Sequence, residues 1–265
     1  MTQYQAPVGA PIWLDLVSSD PDSAAPFYRG MFGWELEGPR RPDLGGYQNF
    51  TLGGERIAGM VPAMADGPTD IWSVYLRTDD AEATARAVQA AGGSILVPPM
   101  AVVEFGSMLV ATDPAGAVIG FWQPGTHPGF TEWGVHGTPY WFECHSQDYA
   151  TSQSFYQQVT GARLEELDTS GGGGGPGRYC TLNFGDRGYA GIMDAAGLHP
   201  DGVPSFWQVY ITVDDVSASV ARAAELGGSV LMPGEDTPWG TLAVIRDPLG
   251  AVICLGHPPA AKSGG

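Results

Sequence analysis

The chain of 265 residues repeats itself. Residues 71–98 read IWSVYLRTDDAEATARAVQAAGGSILVP, and residues 206–233 read FWQVYITVDDVSASVARAAELGGSVLMP. Each stretch predicts a strand, an acidic turn, a helix, and a Gly-Gly-Ser that opens another strand. The likeness continues on both sides. PIWLDLVSSDPDSAAPFYRGMFGWE opens the first copy and PYWFECHSQDYATSQSFYQQVTGAR the second, so Trp13 and Tyr28 keep the spacing of Trp141 and Tyr156. GGYQNFTLGGERIAGMVPA matches GRYCTLNFGDRGYAGIMDA, and FGSMLVATDPAGAVIGFWQ matches WGTLAVIRDPLGAVICLGH. Two copies of so long a period mean a duplicated domain, because solenoids repeat over far fewer residues. The expected domains are residues 1–127 and 128–265. They are joined by a Pro- and Gly-flanked linker over about 123–137.

Within each copy the pattern reads βαβββ twice. IWLDLV alternates its side chains, as a strand does. SDPDSAAPFY supplies an Asp or Ser cap and an early proline for a short helix. DDAEATARAVQAAGG is a capped amphipathic helix stopped by glycine. The fold class is therefore α+β, two domains of two modules each. The glycine run DTSGGGGGPGR, residues 168–178, replaces EGPRRPDLGG of the first copy and is expected to be a mobile surface loop.

Composition narrows the function. A net charge of −17, spread along the chain, argues against nucleic acid and anionic membranes and favours a cationic ligand. No apolar run reaches the length of a membrane helix, and the first residues lack the pattern of a signal peptide. The three cysteines, Cys144, Cys180 and Cys254, have neither metal nor redox spacing, which fits a cytoplasmic protein. No phosphate-binding loop or nucleophile elbow occurs.

The stretches SDPDSAAPFYRGMFGWE, TDDAEATARAVQAAGGSILVPP and DPAGAVIGFWQ resemble the vicinal oxygen chelate superfamily. It includes glyoxalase I, extradiol dioxygenases, fosfomycin-modifying enzymes and bleomycin-type resistance proteins. The chain is most similar to its tandem, actinobacterial glyoxalase-like members. The resemblance implies paired βαβββ modules whose sheets curl into open cups. It also implies that the two halves stand in for the two subunits of glyoxalase-type dimers, which share each cup.

The metal-dependent members need His and Glu ligands on cup-facing strands. By resemblance those positions fall on Trp13, Ser73 and Gly120 in half one and on Trp141, Gln208 and Cys254 in half two. A fourth, less secure, lies near Ala58-Gly59 and Ala190-Gly191. These are poor ligands, so neither a metal nor another cofactor is expected. What replaces the ligands is aromatic, with carboxylates alongside. Strand alternation puts Trp13 with Asp15, Trp141 with Glu143 and His145, Ser73 with Tyr75, Gln208 with Tyr210, and Gly120 with Trp122. Tyr47 completes the first set, and the loop aromatics Phe105 and Trp239 are expected at the cup mouths. Asp15, Glu143 and His145 are the candidates for proton transfer. Trp72 and Trp207 face the other way and should pack under helices. Trp13 and Trp141 could equally plug degenerate cups, and His127, His136, His199 and His257 sit in loops without ligand spacing.

The leading expectation is a metal-free protein, monomeric or weakly dimeric, that binds a bulky, aromatic, cationic natural product. Its role would be self-resistance, product sequestration or an accessory function in antibiotic biosynthesis. A metal-independent tailoring enzyme, hydroxylase-like or lyase-like, on an aromatic polyketide-type substrate is the alternative. A non-catalytic interaction module is the third.

Overall fold

The computed structural model describes residues 3–167 and 177–257. Most of the expected glycine loop, residues 168–176, lies outside the described residues.

Half one contains β1 (Pro11–Ser18), α1 (Pro21–Phe32), β2 (Glu35–Leu36), β3 (Gln48–Leu52), β4 (Glu55–Pro62), β5 (Ile71–Arg77), α2 (Ala81–Ala90), β6 (Ser94–Val102), β7 (Gly106–Thr112) and β8 (Val118–Pro124). Half two repeats the order with β9 (Pro139–Ser146), α3 (Tyr149–Thr160), β10 (Arg163–Leu167), β11 (Tyr179–Phe184), β12 (Arg187–Asp194), β13 (Phe206–Thr212), α4 (Val216–Glu225), β14 (Ser229–Thr237), β15 (Gly240–Arg246) and β16 (Val252–His257). The helices start where their caps predict. The Asp20 carboxylate accepts from the amides of Asp22 and Ser23 with Pro21 in the first turn, and Asp80 caps α2 through the Ala83 amide. Gly33 ends α1 in the left-handed conformation, with φ of 73°.

Each half makes its own eight-stranded sheet, in the orders β2-β3-β4-β1-β5-β8-β7-β6 and β10-β11-β12-β9-β13-β16-β15-β14. The seam between modules is the antiparallel pair β1–β5, with Trp13 opposite Tyr75 and Asp15 opposite Ser73. The corresponding pair β9–β13 sets Trp141 opposite Tyr210 and Glu143 opposite Gln208. This corrects the expectation that the halves share each cup. A cup is built wholly inside one half, because the second module hydrogen-bonds to the first of the same half.

What the halves do share is the layer beneath the cups. One apolar core runs through both of them. Helix α1 packs on α4, α2 packs on α3, and β5 approaches β13. Trp72 and Trp207 belong to this layer as expected. Trp72 donates to Tyr28 Oη at 3.2 Å, and Trp207 donates to Tyr156 Oη at 2.7 Å. The repeated Gly-Gly-Ser also acts here. A Cβ on Gly93 would lie 2.8 Å from the Phe155 ring of half two, and one on Gly228 would lie 2.8 Å from the Phe27 ring of half one. The glycines are notches for the partner half's aromatic ring. No helix among the described residues is long and apolar enough to cross a membrane.

Candidate functional site

In half one, β1 presents Trp13 and Asp15 on its cup face, β5 adds Tyr75, and the approach to β3 adds Tyr47. The Trp13 indole N–H is shared between Asp15 Oδ1 at 2.9 Å and Tyr47 Oη at 2.8 Å. The Tyr47 hydroxyl donates to the same carboxylate oxygen at 2.7 Å, and Tyr75 also hydrogen-bonds to Asp15. Burial pushes the Asp15 carboxyl up to about 6, although the three donors favour its anion. Burial and the Asp15 charge hold both phenols well above their usual range.

Half two repeats the network with a glutamate. Tyr179 donates to Glu143 Oε2 at 2.8 Å, Tyr210 to Oε1 at 2.9 Å, and Trp141 to Tyr179 Oη at 2.8 Å. His145 Nε2 stands 3.0 Å from Glu143 Oε1, at ion-pair distance. Burial pushes the Glu143 carboxyl up. His145 and the two phenols outweigh it and hold the carboxyl below the ordinary glutamate range. On its other side, His145 Nδ1 meets His199 Nε2 at 3.0 Å. Half one has Val17 where half two has His145.

The structure thus gathers Trp13, Asp15, Tyr47 and Tyr75 into one cluster, and Trp141, Glu143, His145 and Tyr210 into another. Ser73 and Gln208 lie beside the carboxylates in register, and Gln208 accepts from the Cys254 thiol at 3.1 Å. Trp239 is 42% exposed and stacks at 6.2 Å on Tyr179, so it stands at the rim of cup two. Phe105 lies in the turn between β6 and β7, with the Arg41 guanidinium 5.7 Å above its ring. Trp122 donates to the His127 carbonyl at 3.0 Å.

Four side chains outside the expected site residues also stand at the cups. His127 packs edge-on to Trp13 at 4.4 Å. Its Nδ1 accepts the Gly129 amide at 3.1 Å, while its Nε2 is buried without a partner among the described residues. Burial holds this ring down to about 4, so it is neutral at ordinary pH. The others are His199, Tyr179 and Tyr140, whose buried hydroxyl has no partner among the described residues. The signal for Tyr179 was present in its alignment with Tyr47. Nothing local marked the two histidines, which the chain brings back from loops.

The residues at the family's metal positions do not fit a metal ion. A Cβ on Gly59 would stand 1.9 Å from Tyr47 Oη and 2.1 Å from Asp15 Oδ1. At Gly120 it would stand 2.3 Å from the Tyr75 ring, and at Gly191 2.0 Å from Tyr179 Oη. Tyrosines fill the space that longer ligand side chains would need. Cys254 is no substitute, because burial drives its thiol pKa far upward and the thiol donates to Gln208. Among the described residues, no three His, Cys, Asp or Glu side chains are grouped to hold a metal ion.

A family model described as Glyoxalase/Bleomycin resistance protein/Dioxygenase superfamily matches residues 11–121 and again 142–255. The chain is 36% identical over 281 residues to "Anthracycline biosynthesis protein DnrV" of Streptomyces peucetius, covering 98% of both chains. It is 34% identical over 255 residues to "Putative glyoxylase CFP32" of Mycobacterium tuberculosis (strain CDC 1551 / Oshkosh), covering 94% of this chain and 95% of that one. Among solved structures it resembles the 2,3-dioxygenase LapB from Pseudomonas sp. KL28, with a TM-score of 0.65 and 15% identity over 98% of this chain and 97% of that one. The Mn(II)-bound glyoxalase from Novosphingobium aromaticivorans gives a TM-score of 0.63 at 18% identity, covering 94% and 82%. At these identities the structural likeness speaks for the fold alone.

Proposed function

Since the chain belongs to the glyoxalase/bleomycin resistance/dioxygenase superfamily, we propose that it uses the fold to bind a planar, fused-ring aromatic molecule without a metal ion. The observation that carries this reading is the matched pair of networks: a buried carboxylate in each half, held by two tyrosines, one of which also accepts from a tryptophan, where the family places metal ligands. Flat rings around a carboxylate suit a polycyclic ligand bearing hydroxyl or amino groups. The likeness to an anthracycline biosynthesis protein supports an aromatic polyketide as the ligand class and an accessory or protective role in making it. The negative charge of the chain favours ligands with a cationic substituent by raising their encounter rate.

The test is calorimetric titration with an anthracycline at low and high salt. It compares wild type with Trp141→Ala, Trp239→Ala and Trp72→Ala. Loss of a stacked ring should weaken binding by about 1 kcal/mol in the first two variants. Trp72→Ala should lower stability and leave affinity alone. Equal affinity in all four proteins would sink the reading.

A further inference from the structure

A cavity of about 270 Å³ lies outside both cups, where the N-terminal segment, the linker and the start of β12 meet. The local sequence of β12 lets the strand serve both places. A Cβ on Gly188 would stand 3.5 Å from the Trp141 ring, so Gly188 faces cup two. Its neighbours Arg187 and Tyr189 therefore face outwards. Tyr189 is the extra residue of a bulge, because Gly188 pairs with Asn183 and Ala190 with Leu182, and this returns Gly191 to the cup. Three rings wall the cavity. Tyr4 stacks on Trp133 at 4.8 Å, and Tyr189 stands edge-on to Trp133 at 6.0 Å. The Tyr4 amide donates to the Thr131 carbonyl at 2.7 Å and clamps the N-terminal segment to the linker.

The cavity also carries one side chain of each charge. The Arg187 guanidinium lies 5.3 Å over the Trp133 ring and 5.0 Å over the Tyr189 ring, which hold it in place and leave its N–H groups free to donate. Glu132, half-buried, lines the linker side. Among the described residues, neither the guanidinium nor the Glu132 carboxylate has an ion-pair or hydrogen-bond partner, so the two do not close on each other. Elsewhere on the surface such neighbours do pair, as Arg56 and Glu37 do at 2.7 Å.

We propose that this cavity binds a free aromatic α-amino acid, with its carboxylate on Arg187, its ammonium on Glu132 and its ring against the Tyr4, Trp133 and Tyr189 wall. The charges select the zwitterion. A plain carboxylate would be opposed by Glu132 and by the net charge of −17, and a plain amine by Arg187. A zwitterion with both ends paired meets neither cost. The cavity lies just under the roughly 300 Å³ at which drug-sized pockets begin, which suits a ligand with a single ring. None of its lining residues belongs to the carboxylate clusters of the cups, so the site is independent of the cup reading.

The test is calorimetric titration of the full chain with L-phenylalanine, 3-phenylpropionate and phenethylamine, which keep the ring and remove one charge at a time. L-Phenylalanine should bind with a Kd of about 0.1–1 mM, and each truncated probe should bind about tenfold more weakly. Arg187→Gln should weaken L-phenylalanine about tenfold and leave phenethylamine no weaker, and Glu132→Gln should do the same while leaving 3-phenylpropionate no weaker. Arg187→Lys keeps the charge and loses the planar fork, so it should fall between wild type and Arg187→Gln. Trp141→Ala, in cup two, should bind L-phenylalanine as wild type does. Failure of L-phenylalanine to bind, 3-phenylpropionate binding as tightly as L-phenylalanine, or unaltered affinity in Arg187→Gln and Glu132→Gln would overturn the zwitterion site. Each of these results leaves the cup reading to its own titration with an anthracycline.

Discussion

The Tyr28 hydroxyl of half one donates to the Asp247 carboxylate of half two at 2.9 Å, across 219 residues of chain. The mirror contact runs from α3 to half one, where the Ser152 hydroxyl donates to Asp113 Oδ2 at 2.8 Å. Both aspartates belong to the repeated DP turn. Asp247 uses its other oxygen to hold the amides of Leu249, Gly250 and Ala251, and Asp113 holds that of Ala117. One side chain thus folds its own turn and fastens the other half.

Tyr28→Phe removes this bond and leaves Trp72 Nε1 without its acceptor. The expected loss is about 1–3 kcal/mol, read as a lower urea midpoint. The two halves should still unfold in a single transition. Separate transitions for the halves would show that the shared layer does not couple them.

Gly93→Ala and Gly228→Ala test the notches. In each case the new methyl would stand 2.6 Å from a backbone oxygen, of Thr112 or Arg246, as well as meeting the partner ring. Neither oxygen can move freely, so each substitution should cost about 1–3 kcal/mol. Gly67→Ala, in a turn with a nearest contact of 3.6 Å, is the control and should change stability by less than about 0.5 kcal/mol.

The buried carboxylates give opposite dependences on pH. Asp15 has a folded pKa of about 6 against a reference of 3.8, so the folded state keeps a proton that the unfolded chain releases. Its contribution is full below about pH 4 and is lost as pH rises through 6. The loss amounts to at most roughly 3 kcal/mol. Glu143 has a lowered folded pKa, so its contribution is present above about 4.5 and is lost as pH falls through the folded value. Urea midpoints of wild type and Asp15→Asn across pH 4 to 7 separate the two. The variant should lack the decline on the alkaline side.

Elemental analysis of the purified protein should find no stoichiometric divalent ion. Adding manganese, nickel or zinc should not produce glyoxalase activity, because Gly59, Gly120 and Gly191 have no room for ligand side chains. About one metal ion per chain, removable by a chelator, would show that the cups hold a metal despite these glycines.

The sequence carried the duplication, the module order and the helix starts because these are local. Asp20, Asp80 and the spacing from Trp13 to Tyr28 are read within a few turns of chain. Strand alternation also placed Asp15 beside Trp13 and Glu143 beside His145. The pairing of modules was not local. A repeat says how many units exist, whereas the choice of β5 over a strand of the other half depends on seams such as Trp13 opposite Tyr75. His127 and His199 read as plain loop residues for a similar reason. His127 and His199 are far in sequence from Trp13 and His145, and only the return of their loops to the cup faces makes them neighbours.

The Tyr28–Asp247 fastening also bears on synthesis. A ribosome completes residues 1–124, a full eight-stranded sheet, before any of β9 exists. During that interval the ring-shaped notch at Gly93 is empty and Tyr28 has no Asp247 to meet. The nascent half is therefore a finished sheet with an unfinished underside. Phe155 can fill the Gly93 notch once α3 is made, but Tyr28 gains its partner only when the Asp247 turn has emerged.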